Sequence, residues 1–222
     1  MLTRRDLDRF EGEGLFARVA RAVCEAECLP RKELFESWEV ARRVRRRIRG
    51  RRVVELAAGH GLVAHLLLLL DDSSDFAVAV DAKAVPSAPT LVAVLAERWP
   101  RLAGRVRHVV ADLGAAPVEA ADLVVSVHAC GALSDLVIER AIDARAPVAV
   151  LPCCHDARTC DPGGLLGFLP LPLAVDATRV ARLRVEGYEI VTQTIPEEIT
   201  PHNRLIVAVP TELTAPGSGR SR

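Results

Sequence analysis

Val53-Val54-Glu55-Leu56-Ala57-Ala58-Gly59-His60-Gly61-Leu62 carries the chain from a short valine-rich strand, through two glycines, into the apolar run Leu62 to Leu70. Glycine tolerates left-handed backbone and lets main chain approach a ligand closely, and the helix that follows begins with unpaired N–H groups. A strand-to-helix turn of this kind is where open α/β sheets place a ligand, at the carboxyl ends of their strands. Gly59 and Gly61 are therefore expected to shape a cofactor site.

Outward from that turn the pattern repeats. Strands are expected at Arg52 to Leu56, Phe76 to Asp81, Val106 to Ala111, Leu123 to His128 and Val148 to Pro152, all short and apolar enough for burial on both faces of a parallel sheet. Helical stretches at Leu62 to Leu70, Ala88 to Trp99 and Leu133 to Ala144 separate them, giving βαβ units with right-handed crossovers. The rhythm then changes. A helix at Val175 to Glu186 leads to strands at Tyr188 to Ile195 and Arg204 to Val209, and so short a connection allows only an antiparallel pair. The fold expected is α/β, a doubly wound, mostly parallel seven-stranded sheet ending in an antiparallel hairpin. Residues 1–50 read as a helical cap of the same domain, with Leu34, Trp38, Ala41, Val44 and Ile48 on one helical face; residues 51–210 read as the core and 211–222 as a disordered tail.

With 222 residues, half of them apolar, the chain suits one domain with a substantial core. The 29 basic and 29 acidic residues cancel, which argues against a molecule-wide nucleic-acid-binding field. The charge is uneven, however. Residues 1–52 hold 15 Lys or Arg against 9 Asp or Glu, and Arg42 to Arg52 contains eight arginines in eleven positions. That run suits either RNA phosphates beside an active site or a solvated helix face. No apolar stretch approaches the roughly 20 residues of a membrane span, and the charged start does not read as a signal peptide, so a cytoplasmic protein without a membrane partner is expected. Six cysteines then suggest reduced thiols before disulfides.

Three acids close three successive strands. Glu55 ends the first, Asp81 the second and Asp112 follows the third. Asp81 is placed for ribose hydroxyls and Asp112, with Leu113, for an adenine. Gly59 to Ala64 also satisfies the dinucleotide pattern G-x-G-x-x-A, but Glu55 would repel a pyrophosphate while suiting the cationic methionine end of S-adenosylmethionine. Glu55 to Gly61 resembles motif I of class I methyltransferases, E/D-x-G-x-G-x-G, with Ala57 in place of the first glycine. The resemblance implies a methyltransferase using S-adenosylmethionine held by Glu55, Ala57, Gly59, Gly61, Asp81, Asp112 and Leu113.

Two further segments share that sheet edge. Ser126-Val-His128-Ala-Cys130-Gly131 and Pro152-Cys153-Cys154-His155, together with Ile199-Thr-Pro-His202-Asn203-Arg204, are similar to the subfamily of tRNA ribose 2′-O-methyltransferases with a Cys-Cys-His-His motif and to glutathione S-transferase C-terminal domain-containing proteins. Asp156 stands where that motif has its second histidine. His128 and His155 are the candidate proton acceptors, since imidazole titrates near neutrality. Cys130, Cys154, Lys32, Trp38 and Asn203 are the candidate acceptor pocket. Cysteine and histidine also suit zinc, but the paired C-x₂-C spacing of structural sites is missing and no metal is assigned; Cys130 and one of Cys153 or Cys154 read as small buried side chains. His60, His65 and His108 read as structural. Beside an S-adenosylmethionine-dependent methyltransferase whose acceptor is left open, with RNA (tRNA) as one candidate, stand three other readings: a small-molecule methyltransferase, an NAD-dependent oxidoreductase, and a non-catalytic cofactor-binding module.

Overall fold

The computed structural model describes residues 1–211; the segment read as a tail lies, from residue 212, outside the described residues. After a short 3₁₀ turn come α1 (Leu15–Ala26) and α2 (Arg31–Arg45). The sheet and its helices follow as β1 (Arg52–Leu56), α3 (Leu62–Leu70), β2 (Ala77–Asp81), α4 (Ala88–Arg98), β3 (Val106–Val110), β4 (Asp122–Ser126), α5 (Leu133–Ala144), β5 (Val148–Val150), α6 (Leu171–Val185), β6 (Tyr188–Thr194) and β7 (Arg204–Pro210).

Seven strands form one sheet in the order β3-β2-β1-β4-β5-β7-β6. Strand β7 is antiparallel to both β5 and β6, and the other pairings are parallel. The order reverses between β1 and β4, the switch point at which such sheets leave a crevice. This is the class I methyltransferase fold.

Alternation along the strands builds two cores. Val53, Leu123, Val125 and Ala149 face one cluster with α1, α2 and α3, whereas Val54, Leu56, Val124 and Val148 face another with α5 and α6. Helix α3 is apolar over all but His65, and every residue from Leu62 to Leu69 is buried, as a helix without a polar face requires. Strand β3 departs from the expectation of burial on both faces. It lies at the sheet edge with Arg107, His108 and Val110 exposed, because no strand follows it in the order.

Glu33 and Ser37 near the start of helix α2 reach the cleft beyond β1, while the chain after its last turn enters β1 at Arg52 and runs back toward that cleft. A 15-residue helix is about 22 Å long. Arg51 and Arg52 thus lie at the amino edge of the sheet, whereas Arg43, within the last turn of α2, donates to the Thr194 carbonyl at 3.2 Å at the end of β6, and none of Arg42 to Arg52 lines the cleft. Several of these side chains have partners within the chain. Arg52 forks onto Asp122 at 2.7 and 2.6 Å, Arg42 meets Glu39 at 3.0 Å, and Arg51 donates to the Ala120 carbonyl at 3.0 Å.

Candidate cofactor cleft and its rim

Strands β1, β2 and β4 end at one level, and the turns beyond them enclose two adjoining compartments. One, of about 450 Å³, is lined among others by Glu33, Ser37, Glu55, Ala57, His60, His128 and Cys130. The other, also about 450 Å³, is mostly apolar, with Ala84, Val92, His108, Val109 and Val110 in its walls. Gly59, Asp81 and Val85 belong to both. The arrangement suits a ligand with a cationic polar end and a flat apolar end joined by a hydroxylated unit.

Glu55 is 3% exposed, and its Oε2 accepts the Ala64 amide at 2.7 Å, one of the free N–H groups opening α3. Burial pushes its carboxyl up to about 8, against the lowering pull of the Ala64 and Val63 amides. Asp81 is partly exposed and accepts the Gly59 amide at 2.9 Å and the Lys83 amide at 3.2 Å, which locks the glycine turn onto the end of β2.

Ala57 occupies the left-handed region at φ +53°, where a side chain is strained. The motif it resembles has glycine at this position, and the backbone shows the physical reason. Gly61 is also left-handed, at φ +71°, and lines neither compartment itself. A Cβ there would lie 2.8 Å from the His108 ring and 3.1 Å from the Ala79 Cβ, so Gly61 lets α3 pack against β2 and β3.

Other expectations are redirected by packing. Asp112 caps a short 3₁₀ turn, accepting the Gly114 amide at 2.7 Å, and does not line either compartment; Leu113 beside it is buried in the second core cluster. Trp38 lies 5.2 Å from Phe16, their rings tilted, in an aromatic group with Phe10 and Phe35, on a different face of α2 from the cleft-facing Glu33 and Ser37. Asn203 closes the β6–β7 hairpin, donating to the Ile195 carbonyl at 3.0 Å. Neither Trp38 nor Asn203 is a pocket residue. Lys32 lies 3.5 Å from Glu36, which is itself 1% exposed beneath the cleft rim.

The two catalytic candidates separate. His128 lines the cleft, its Nδ1 4.0 Å from Glu36 Oε2 and its Nε2 buried without a partner among the described residues. Burial, with Lys32 nearby, pushes the imidazole down to about 4, so at neutral pH the ring is uncharged and a weaker base than a free imidazole. His155 is instead packed away, its side chain 1% exposed and its Nε2 2.8 Å from Asp176. Asp176 also accepts from Arg204 at 2.6 Å and Arg179 at 3.3 Å, and Arg179 forks onto Asp135 at 2.8 Å. His155 is a member of that buried ionic network, which removes it from the reacting groups.

His65 is structural as expected, 2% exposed with Nδ1 2.7 Å from the Gly61 carbonyl. His60 and His108, by contrast, line the cleft. His60 contacts the Ser87 hydroxyl at 2.8 Å in the polar compartment, and His108 walls the apolar one. Glu33 and Ser37 are cleft residues that motif reading missed; their only sequence signal is a polar pair one turn apart on α2. Among the cysteines, Cys130 and Cys154 are exposed, contrary to Cys130 as a buried filler, while Cys153 is 8% exposed.

With the fold and cleft in view, comparison with known proteins gives the class. The chain belongs to the methyltransferase domain family, whose model matches residues 33–159. No curated protein sequence matches it. Among solved structures it resembles a glycopeptide N-methyltransferase complexed with sinefungin, at TM-score 0.53 and 16% identity over 80% of this chain and 93% of that one. It also resembles a provisionally assigned RNA methyltransferase from Pyrococcus horikoshii, at TM-score 0.50 and 16% identity over 78% and 81% of the two chains. An O-methyltransferase family protein from Burkholderia thailandensis gives TM-score 0.50 and 17% identity over 95% of this chain, which spans only 63% of that one. At such identities the likeness is one of fold. No helix among the described residues is long and apolar enough to cross a membrane.

Proposed function

We propose that the protein binds S-adenosylmethionine in this cleft and transfers its methyl group to an acceptor reaching His128 and Cys130. The observation that carries the reading is the pairing of an acid-lined compartment with an apolar one across Asp81 and Gly59. The adenine enters the apolar walls, the ribose hydroxyls meet Asp81, and the methionine ammonium and sulfonium lie in the field of Glu33 and Glu55. Asp81 and Glu33 in the same compartment, joined by Glu55 once it ionises, disfavour a dinucleotide pyrophosphate. Methyl transfer rests mainly on alignment and exclusion of water, and the uncharged His128 ring, lowered to about 4, serves to orient the acceptor by hydrogen bonding more than to remove its proton. None of Arg42 to Arg52 lines either compartment, so an RNA acceptor held by that run gains no support from the cleft itself.

The test is thermal unfolding with S-adenosylmethionine, S-adenosylhomocysteine and NAD. At 100 times the dissociation constant a ligand adds about 2.7 kcal/mol, which for a chain of this size raises Tm by about 5–10 °C. A rise with the first two and none with NAD is expected; a rise with NAD alone overturns the reading.

Glu55 makes the binding pH-dependent. With its carboxyl raised to about 8, the ligand-free fold favours the protonated acid, so any stabilisation from that proton is lost as pH climbs from the ordinary value of 4.5 toward 8. A cationic ligand favours the carboxylate and expels the proton. Affinity for S-adenosylmethionine should therefore rise with pH, by up to about tenfold per unit, and level off near the raised pKa. Calorimetric titrations at three pH values check this. Glu55→Gln should flatten the dependence, and a slope retained in that variant would assign it to another group.

A further inference from the structure

We propose that Cys130, Cys153 and Cys154 form a three-thiolate site for a thiophilic d¹⁰ cation such as Zn²⁺ at the rim of the cofactor cleft. The sheet brings them together. Ser126 on β4 pairs with Val150 on β5, and Cys130 and Cys154 each lie four residues beyond that pair, with Cys153 adjacent. The Sγ atoms of Cys130 and Cys153 are 2.8 Å apart, those of Cys130 and Cys154 are 3.5 Å apart, and all three fall within 4.8 Å. Tetrahedral zinc with Zn–S near 2.3 Å holds its sulfurs about 3.8 Å apart, so shifts of about 1 Å or less would bring all three onto one ion.

The fourth position would be open. Cys130 and Cys154 line a shallow surface pocket with Asp156 and Thr159, and Cys130 also lines the compartment assigned to the methionine end. Three protein ligands with one free position is the pattern of catalytic zinc, not of closed structural zinc. An ion there would bind the acceptor directly and lower the pKa of its thiol or hydroxyl, next to where the methyl group is delivered. Cys160 stands apart from the cluster, 3.8 Å from an Arg179 nitrogen.

The metal site is independent of the cofactor reading, because it is measured on the full chain without cofactor. Fully reduced protein is titrated with Zn²⁺ against a chromogenic chelator, and with Co²⁺ to observe thiolate-to-metal absorption. One equivalent per chain with a thiolate band is expected. Cys130 and Cys154 are exposed, so serine in either place should preserve the fold, checked by Tm, while weakening Zn²⁺ binding by more than the roughly 10–100-fold of an outer-shell change. Absence of binding by the reduced chain, or binding undiminished in Cys154→Ser, overturns the proposal. So does a Cys130–Cys153 disulfide in the oxidised protein whose reduced form takes up no Zn²⁺.

Discussion

Asp81→Ala is expected to weaken S-adenosylmethionine binding by at least about a hundredfold while leaving the chain folded. A carboxylate hydrogen bond contributes about 1.5–3 kcal/mol, and the two ribose hydroxyls would each lose one, or about 3–6 kcal/mol together. At 1.4 kcal/mol per decade that is a factor of about 10² to 10⁴. A second loss adds to it, because Asp81 accepts the Gly59 amide at 2.9 Å and holds the turn against which the ligand is seated. Asp81→Asn keeps an acceptor oxygen but loses the charge, and should fall between wild type and alanine. Titration calorimetry with S-adenosylmethionine and S-adenosylhomocysteine measures all three proteins. If Asp81→Ala binds both as wild type does, the cleft is not the cofactor site, whatever the fold resembles.

The sequence disclosed the cleft better than its rim, and the difference is physical. Gly59, Glu55 and Asp81 follow from chain order alone, because strands of a doubly wound sheet end at one edge and their terminal residues meet there. Helices α3 and α5 begin and end where the apolar periodicity does, at Leu62–Leu70 and Leu133–Ala144. Helix α6 starts at Leu171, ahead of the expected Val175, because Pro172 lies in the first turn, where its missing N–H costs no hydrogen bond. Side-chain direction was the hidden part. Trp38 and Ser37 are neighbours in sequence but about 100° apart around α2, so one enters the aromatic group and the other the cleft. The approach of Glu36 to His128 spans two elements far apart in sequence, and no local pattern reports it.

His155 poses the same problem in sharper form, since a histidine beside two cysteines at the correct sheet edge reads as catalytic until its partner is seen. The structure predicts that Asp176→Ala will destabilise the protein by about 3–5 kcal/mol, the cost of leaving buried charge uncompensated. Asp176 is 6% exposed and receives His155, Arg179 and Arg204, so its removal strands the Arg204 guanidinium and His155 and takes one partner from Arg179, which keeps Asp135. Burial alone would raise its carboxyl, but the hydrogen bonds from His155 and Arg204 outweigh that and hold it below its ordinary value of 3.8. The sign follows. A depressed carboxylate contributes stability above its unfolded pKa and loses it as pH falls through the folded one, so the gap between wild type and Asp176→Ala should be full at neutral pH and narrow below about pH 4. Denaturant unfolding at neutral and acid pH measures it. His155→Asn should likewise lower stability and leave cofactor affinity nearly unchanged, because α6 and β7, not the cleft, hold the ring. A variant as stable as wild type but inactive in transfer would return His155 to the reacting groups and remove the structural role assigned to it.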